Sequence, residues 1–130
     1  MKDIVIGTVF EKELVVSEEQ LACNVGSGIV RVYATPMMIA LMEAAACSCL
    51  APFLEDGETS VGVMMNTTHD AATPVGMKVH VKAEITAVDR KKVSFAMIAS
   101  DEKDTIGVAS HDRFIVKKES FEAKALAKAS

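Results

Sequence analysis

Tryptophan is absent and other aromatics are few, five Phe and one Tyr. Any core in this 130-residue chain must therefore come from Val, Ile, Leu, Met and Ala. Basic charge is also in short supply. A net charge of -4 and a pI near 5.3 argue against a nucleic-acid binder, whose electrostatic footprint would be basic. An anionic ligand would have to be met by local positive charge. There is no Cys-x-x-Cys pair to suggest structural zinc. A Gly-x-Ser-x-Gly elbow, a P-loop and a dinucleotide fingerprint are all missing, which removes the commonest serine-nucleophile and nucleotide-binding readings. Internal repeats, linkers and low-complexity segments are missing too. The three cysteines are an odd set, Cys23, Cys47 and Cys49, and the last two read as small buried side chains rather than disulfide partners.

What is present describes an ordinary globular chain. Half of the residues are hydrophobic and a quarter charged, so disorder is excluded on composition. The length suits one domain over residues 1–130 with a core that needs no staples. The opening Met-Lys-Asp-Ile-Val-Ile-Gly does not read as a secretory signal, and a reducing cytoplasm is the expected home. Pro36 to Phe53 carries Glu43 as its only charge. A membrane span needs about 20 apolar residues and resists a central carboxylate. A core helix wrapped on most sides is the expectation, and no membrane partner is implied.

Thr35-Pro36 reads as a helix start, with Thr as cap and Pro at the first position. Met37 to Leu50 is rich in the strong helix formers Met, Ala and Leu, and Pro52 and Asp56-Gly57 end it. Elsewhere the period is two. From Met77 to Ala87 the odd positions are Met77, Val79, Val81, Ala83, Ile85 and Ala87, and the even ones are polar, the pattern of a half-buried strand. Asp89-Arg90-Lys91 and Asp101 to Asp104 read as turns into strands at Val93–Ser100 and Thr105–Val116. Ser60 to Ala72 and Ile6 to Val16 also read as strands, and Ile29 to Val32 is a short β-branched run after a glycine-marked loop. The tail from Glu119 to Lys128 reads as a short amphipathic helix or a frayed end. Consecutive strands on short turns give an antiparallel sheet, and one apolar helix requires that sheet to curl around it. The fold class is α+β.

Glu43 is the first candidate for chemistry, because burying an unpaired carboxylate is costly and such groups concentrate at active sites. A structural hydrogen bond or an exposed stripe explains it equally well. His69, in Asn66-Thr67-Thr68-His69-Asp70, is a candidate acid or base, although a surface histidine at a strand end is the simpler reading. His80 sits among lysines on a polar face, and His111 is a weaker candidate in Ser110-His111-Asp112-Arg113. Thr35 is explained as a helix cap. Arg113 is either a surface residue or an anion clamp. Gly62, between Val61 and Val63, signals close approach of another backbone or a ligand.

Three separated segments now agree in order and spacing. Ala34-Thr35-Pro36 through Leu41-Met42-Glu43, Ala51-Pro52-Phe53-Leu54-Glu55, and Thr68-His69-Asp70-Ala71-Ala72-Thr73-Pro74 resemble the fluoroacetyl-CoA thioesterase family of hot-dog proteins. The likeness runs from about residue 33 to the C-terminus. It implies a hot-dog fold, hydrolysis of a short acyl-CoA, and a catalytic Thr, Glu and His at Thr35, Glu43 and His69. It implies substrate contacts at Gly62 and Arg113, a homodimer with sites at the subunit interface, and neither metal nor organic cofactor. Pro36 stands where the family has Gly, and the segment between Val16 and Tyr33 is shorter and lacks the family's aromatics, so the acyl group stays open. A hot-dog hydratase or dehydratase and a non-catalytic acyl-CoA binding module are the rival readings. One geometric constraint applies to any of them. Eight residues of ideal helix put Thr35 and Glu43 about 12 Å apart along the axis.

Overall fold

The computed structural model describes residues 1–129. Its elements are β1 (Val9–Val15), a short α1 (Ala22–Val25), α2 (Thr35–Leu50), β2 (Glu58–Thr67), β3 (Lys78–Asp89), β4 (Lys92–Ser100), β5 (Thr105–Lys117) and α3 (Lys118–Leu126). The strands form one antiparallel sheet in the order β1-β3-β4-β5-β2. This sheet curls around α2, the arrangement of a hot-dog fold.

The period of two decides which face closes on the helix. Val79, Val81, Ala83 and Ile85 of β3 and Val93, Phe95, Met97 and Ala99 of β4 are buried together. They meet Met38, Leu41, Met42, Ala45, Ala46, Cys49 and Leu50 of α2. Each fully buried Met or Leu contributes roughly 1.5–3 kcal/mol relative to exposure. Thr35–Phe53 is long and apolar enough to cross a membrane, yet it packs as the axis of this core. The sheet bends where its register slips, at Gly62/Met64, Ile85/Ala87 and Ala99/Ser100.

Several expectations are corrected. The alternation of β3 stops at the slip after Ile85, so Thr86 and Ala87 are both exposed and Ala87 is not a core residue. The strand expected to run to Ala72 ends at Thr67, and Thr68 onward is an irregular segment. Ile29 to Val32 forms no strand, because its backbone partners belong to the α1 turn: Ala22 N–H donates to Val32 and Cys23 N–H to Val30. Cys47 is exposed whereas Cys49 is buried. The tail is helical but buries none of its side chains.

Candidate active site

Thr35 is the first residue of α2, not its cap. The cap position belongs to Ala34, which has no side-chain capping bond. The Thr35 hydroxyl lies instead 2.7 Å from His69 Nδ1. Its helical position leaves the side chain free for that contact, while Pro36 at the next position costs nothing at a helix start.

His69 belongs to the irregular segment after β2, and that segment is stitched down on both sides. Thr68 N–H donates to Val108 C=O at 3.1 Å and Asp70 N–H to Ile106 C=O at 2.6 Å. Thr73, fully buried, accepts from Tyr33 N–H at its carbonyl and donates its hydroxyl to Asp101 at 2.9 Å. Gly107 makes the approach possible, because a Cβ there would collide with the Thr68 carbonyl. His69 Nε2 is buried without a hydrogen-bond partner. Burial lowers the His69 pKa from its ordinary 6.5, against a smaller opposing effect of Asp70, so the imidazole is neutral at physiological pH. The ring lines a cleft with Thr35, Tyr33, Val30, Val32 and Asp70. A neutral imidazole beside a cleft, with Nδ1 engaged by Thr35 and Nε2 unpartnered, is suited to proton exchange.

Glu43 sits in a different cluster. Its Oε2 lies 3.4 Å from Arg113 Nη1, and its side chain keeps 43% of its exposure, so it is not a deeply buried carboxylate. Arg113 is buried, with Nε–H donating to Ser60 Oγ at 2.8 Å and Nη2–H to the Ser60 carbonyl at 3.1 Å. Arg113 Nη1 also lies 3.1 Å from His111 Nε2. Gly62 occupies the middle of the group. A Cβ on residue 62 would lie 2.7 Å from Glu43 Oε2, 3.2 Å from His111 Cε1 and 3.4 Å from Arg113 Nη1. The close approach expected at Gly62 is therefore real, and what approaches is the Glu43 carboxylate.

Two half-sites result. Thr35 meets His69, and Glu43 meets Arg113 beside Gly62. The α2 helix is regular from Thr35 to Leu50, so the two halves stand about 12 Å apart along its axis and point about 80° apart around it. His80 is at the surface, 3.1 Å from Glu11, and belongs to neither. His111 was underrated by sequence. It shares the inward face of β5 with Arg113 and Ile115, and that period was the signal that could have found it. Ser60 and Gly107 carried no signal of their own. Among the described residues no group of His, Cys, Asp and Glu is placed to hold a metal ion.

The model of the fluoroacetyl-CoA-specific thioesterases matches residues 16–119. The chain belongs to that family. A fluoroacetyl-CoA thioesterase of Streptantibioticus cattleyicolor is 43% identical over 93 residues, 72% of this chain and 67% of that protein. A variant of the fluoroacetyl-CoA enzyme solved with acetyl-CoA is 33% identical, covers 98% of this chain and 100% of its own, and superposes with a TM-score of 0.93. A thioesterase-superfamily protein of Thermus thermophilus is 32% identical across the full length of both chains, with a TM-score of 0.89. The curled sheet and central helix are thus the hot-dog fold of this family.

Proposed function

We propose that the protein hydrolyses the thioester of a short acyl-CoA to the free acid and CoA. The observation that carries this reading is the Thr35–His69 pair, 2.7 Å apart, whose buried Nε2 has no partner within the chain. Family membership supplies the substrate class, and the relative solved with acetyl-CoA supports a small acyl group. Glu43 attacks the carbonyl carbon, or takes a proton from the water that does. In the first case an anhydride forms as the C–S bond breaks, and water then cleaves it. His69 Nε2, bare in the neutral ring, takes a proton from the attacking water and hands it to the departing thiolate, with Thr35 orienting the ring. Arg113 and Gly62 hold substrate beside Glu43. Neither a metal nor an organic cofactor enters this scheme, and a reducing cytoplasm suits its three free thiols.

The gap between the half-sites supports a homodimer in which Thr35 and His69 of one protomer face Glu43 of the other. Strand β2 lies at the sheet edge with Val63 and Met64 exposed, a surface that a second copy would cover.

A panel of short acyl-CoAs, assayed for free thiol, for change at an acyl double bond and for binding without turnover, separates hydrolysis from hydration and from mere binding. Thiol release is expected, falling by about 100-fold or more in Glu43→Ala and His69→Ala. Absence of thiol with every acyl chain would overturn the reading.

A further inference from the structure

His111 is buried and has no role in the scheme above, yet its two ring nitrogens are both committed. Nδ1 lies 2.7 Å from the Met64 carbonyl and Nε2 lies 3.1 Å from Arg113 Nη1. Both neighbours have fixed roles: a carbonyl only accepts, and a guanidinium only donates. The ring must therefore carry its proton on Nδ1 and present a bare Nε2 to Arg113. Past the bulge in β2 between Gly62 and Met64, Met64 pairs with Asp112 and Met65 with His111, and the Met64 carbonyl reaches the ring. The charged groups around the ring are Arg113 and Asp112 of β5 and Glu43 of α2. The neighbouring strands bring the Phe95 ring of β4, 6.0 Å away, and Gly62, Met64 and the cross-strand partner Met65 of β2, none of them charged.

The consequence falls on Glu43. A guanidinium and a carboxylate left to themselves close to about 2.7–2.9 Å, often through two parallel bonds. Here the contact is a single one at 3.4 Å. Ser60 holds Nε and Nη2, and His111 takes an Nη1 hydrogen that the carboxylate would otherwise receive. We infer that His111 is a positioning residue: its neutral Nδ1–H tautomer draws Arg113 Nη1 aside, so that Glu43 is steered by the arginine without being locked in a bidentate pair. This rests on the thioesterase reading, and it adds a group that touches neither substrate nor reacting atoms.

Two substitutions divide the ring's two bonds. Gln places an oxygen near the position of Nε2 and keeps the acceptor for Arg113. Asn places an N–H near the position of Nδ1 and keeps only the donor to Met64. His111→Asn is expected to lower kcat about tenfold with KM changed less than about threefold, whereas His111→Gln loses about threefold or less in kcat. Equal losses in both variants, or no loss in either, would overturn the inference. Nitrogen-15 NMR of the wild-type ring tests the tautomer even where a variant does not fold. A bare Nε2 and a protonated Nδ1 across the neutral range are expected, and a protonated Nε2 overturns the arrangement. Failure of the wild type to release thiol sinks the thioesterase reading instead, and is told apart because the NMR result does not depend on turnover.

Discussion

A methyl group on residue 62 is the smallest change that reaches the carboxylate. It would stand 2.7 Å from Glu43 Oε2, closer than real carbon–oxygen contacts, and the side chain rather than the backbone would give way. Gly62→Ala is therefore expected to fold with little change in melting temperature while kcat drops about tenfold or more, since a displacement near 1 Å is costly at a reacting centre. A drop in melting temperature that accounts for the whole activity loss would refute this. The imidazoles make a second prediction at the same scale. Burial, the largest cause in both, lowers the pKa of His69 and of His111 from 6.5; at His111 the Met64 carbonyl, Glu43 and Asp112 oppose it and Arg113 adds to it. Below pH 6.5 the unfolded chain then binds more protons than the folded one, so stability declines as pH falls through the folded values. Melting temperature is expected to drop over that window, and less so in His111→Gln. A flat profile between pH 7 and 5 would contradict it.

Elements place what single residues cannot. The segment after β2 owes its position to Gly107, where a Cβ would strike the Thr68 carbonyl and press on Met38. Gly107→Ala must move backbone rather than a flexible side chain. It is expected to cost about 1–3 kcal/mol of stability by overpacking and to weaken the Thr35–His69 contact, read as a kcat loss larger than that of a surface control. Unchanged stability and turnover would show that the segment tolerates the shift. This contact also marks the limit of what was legible in sequence. The strands were readable because their period of two is local, α2 because its helix formers and end signals are local too, and the period also held the signal for His111. The end of β2 at Thr67 and the bulge at Ile85/Ala87 were not, because register depends on the partner strand. Thr35 read as a cap because its true partner is 34 residues away. The family likeness grouped Thr35, Glu43 and His69, helix geometry already set Thr35 and Glu43 about 12 Å apart, and the structure adds the partners, His69 for Thr35 and Arg113 for Glu43.

At the scale of the molecule, that separation becomes a question about assembly. A regular α2 forbids Thr35 and Glu43 from meeting in one chain, since their positions differ by about 12 Å along the helix. In the proposed homodimer a two-fold axis would set each half-site against the other copy's complementary half. Mixing two inactive variants tests this directly. In a dimer of Glu43→Ala with His69→Ala, one of the two interface sites receives both wild-type residues and the other receives neither. Random reassortment of equal amounts is then expected to restore about one quarter of wild-type activity. If each site were built within a single chain, every site in the mixed dimer would carry one substitution and no activity would return. The comparison needs the subunits to exchange, which mass spectrometry of differently tagged chains measures in the same sample. Exchange without rescue would place the two half-sites in one protomer and remove the homodimer from the proposed mechanism.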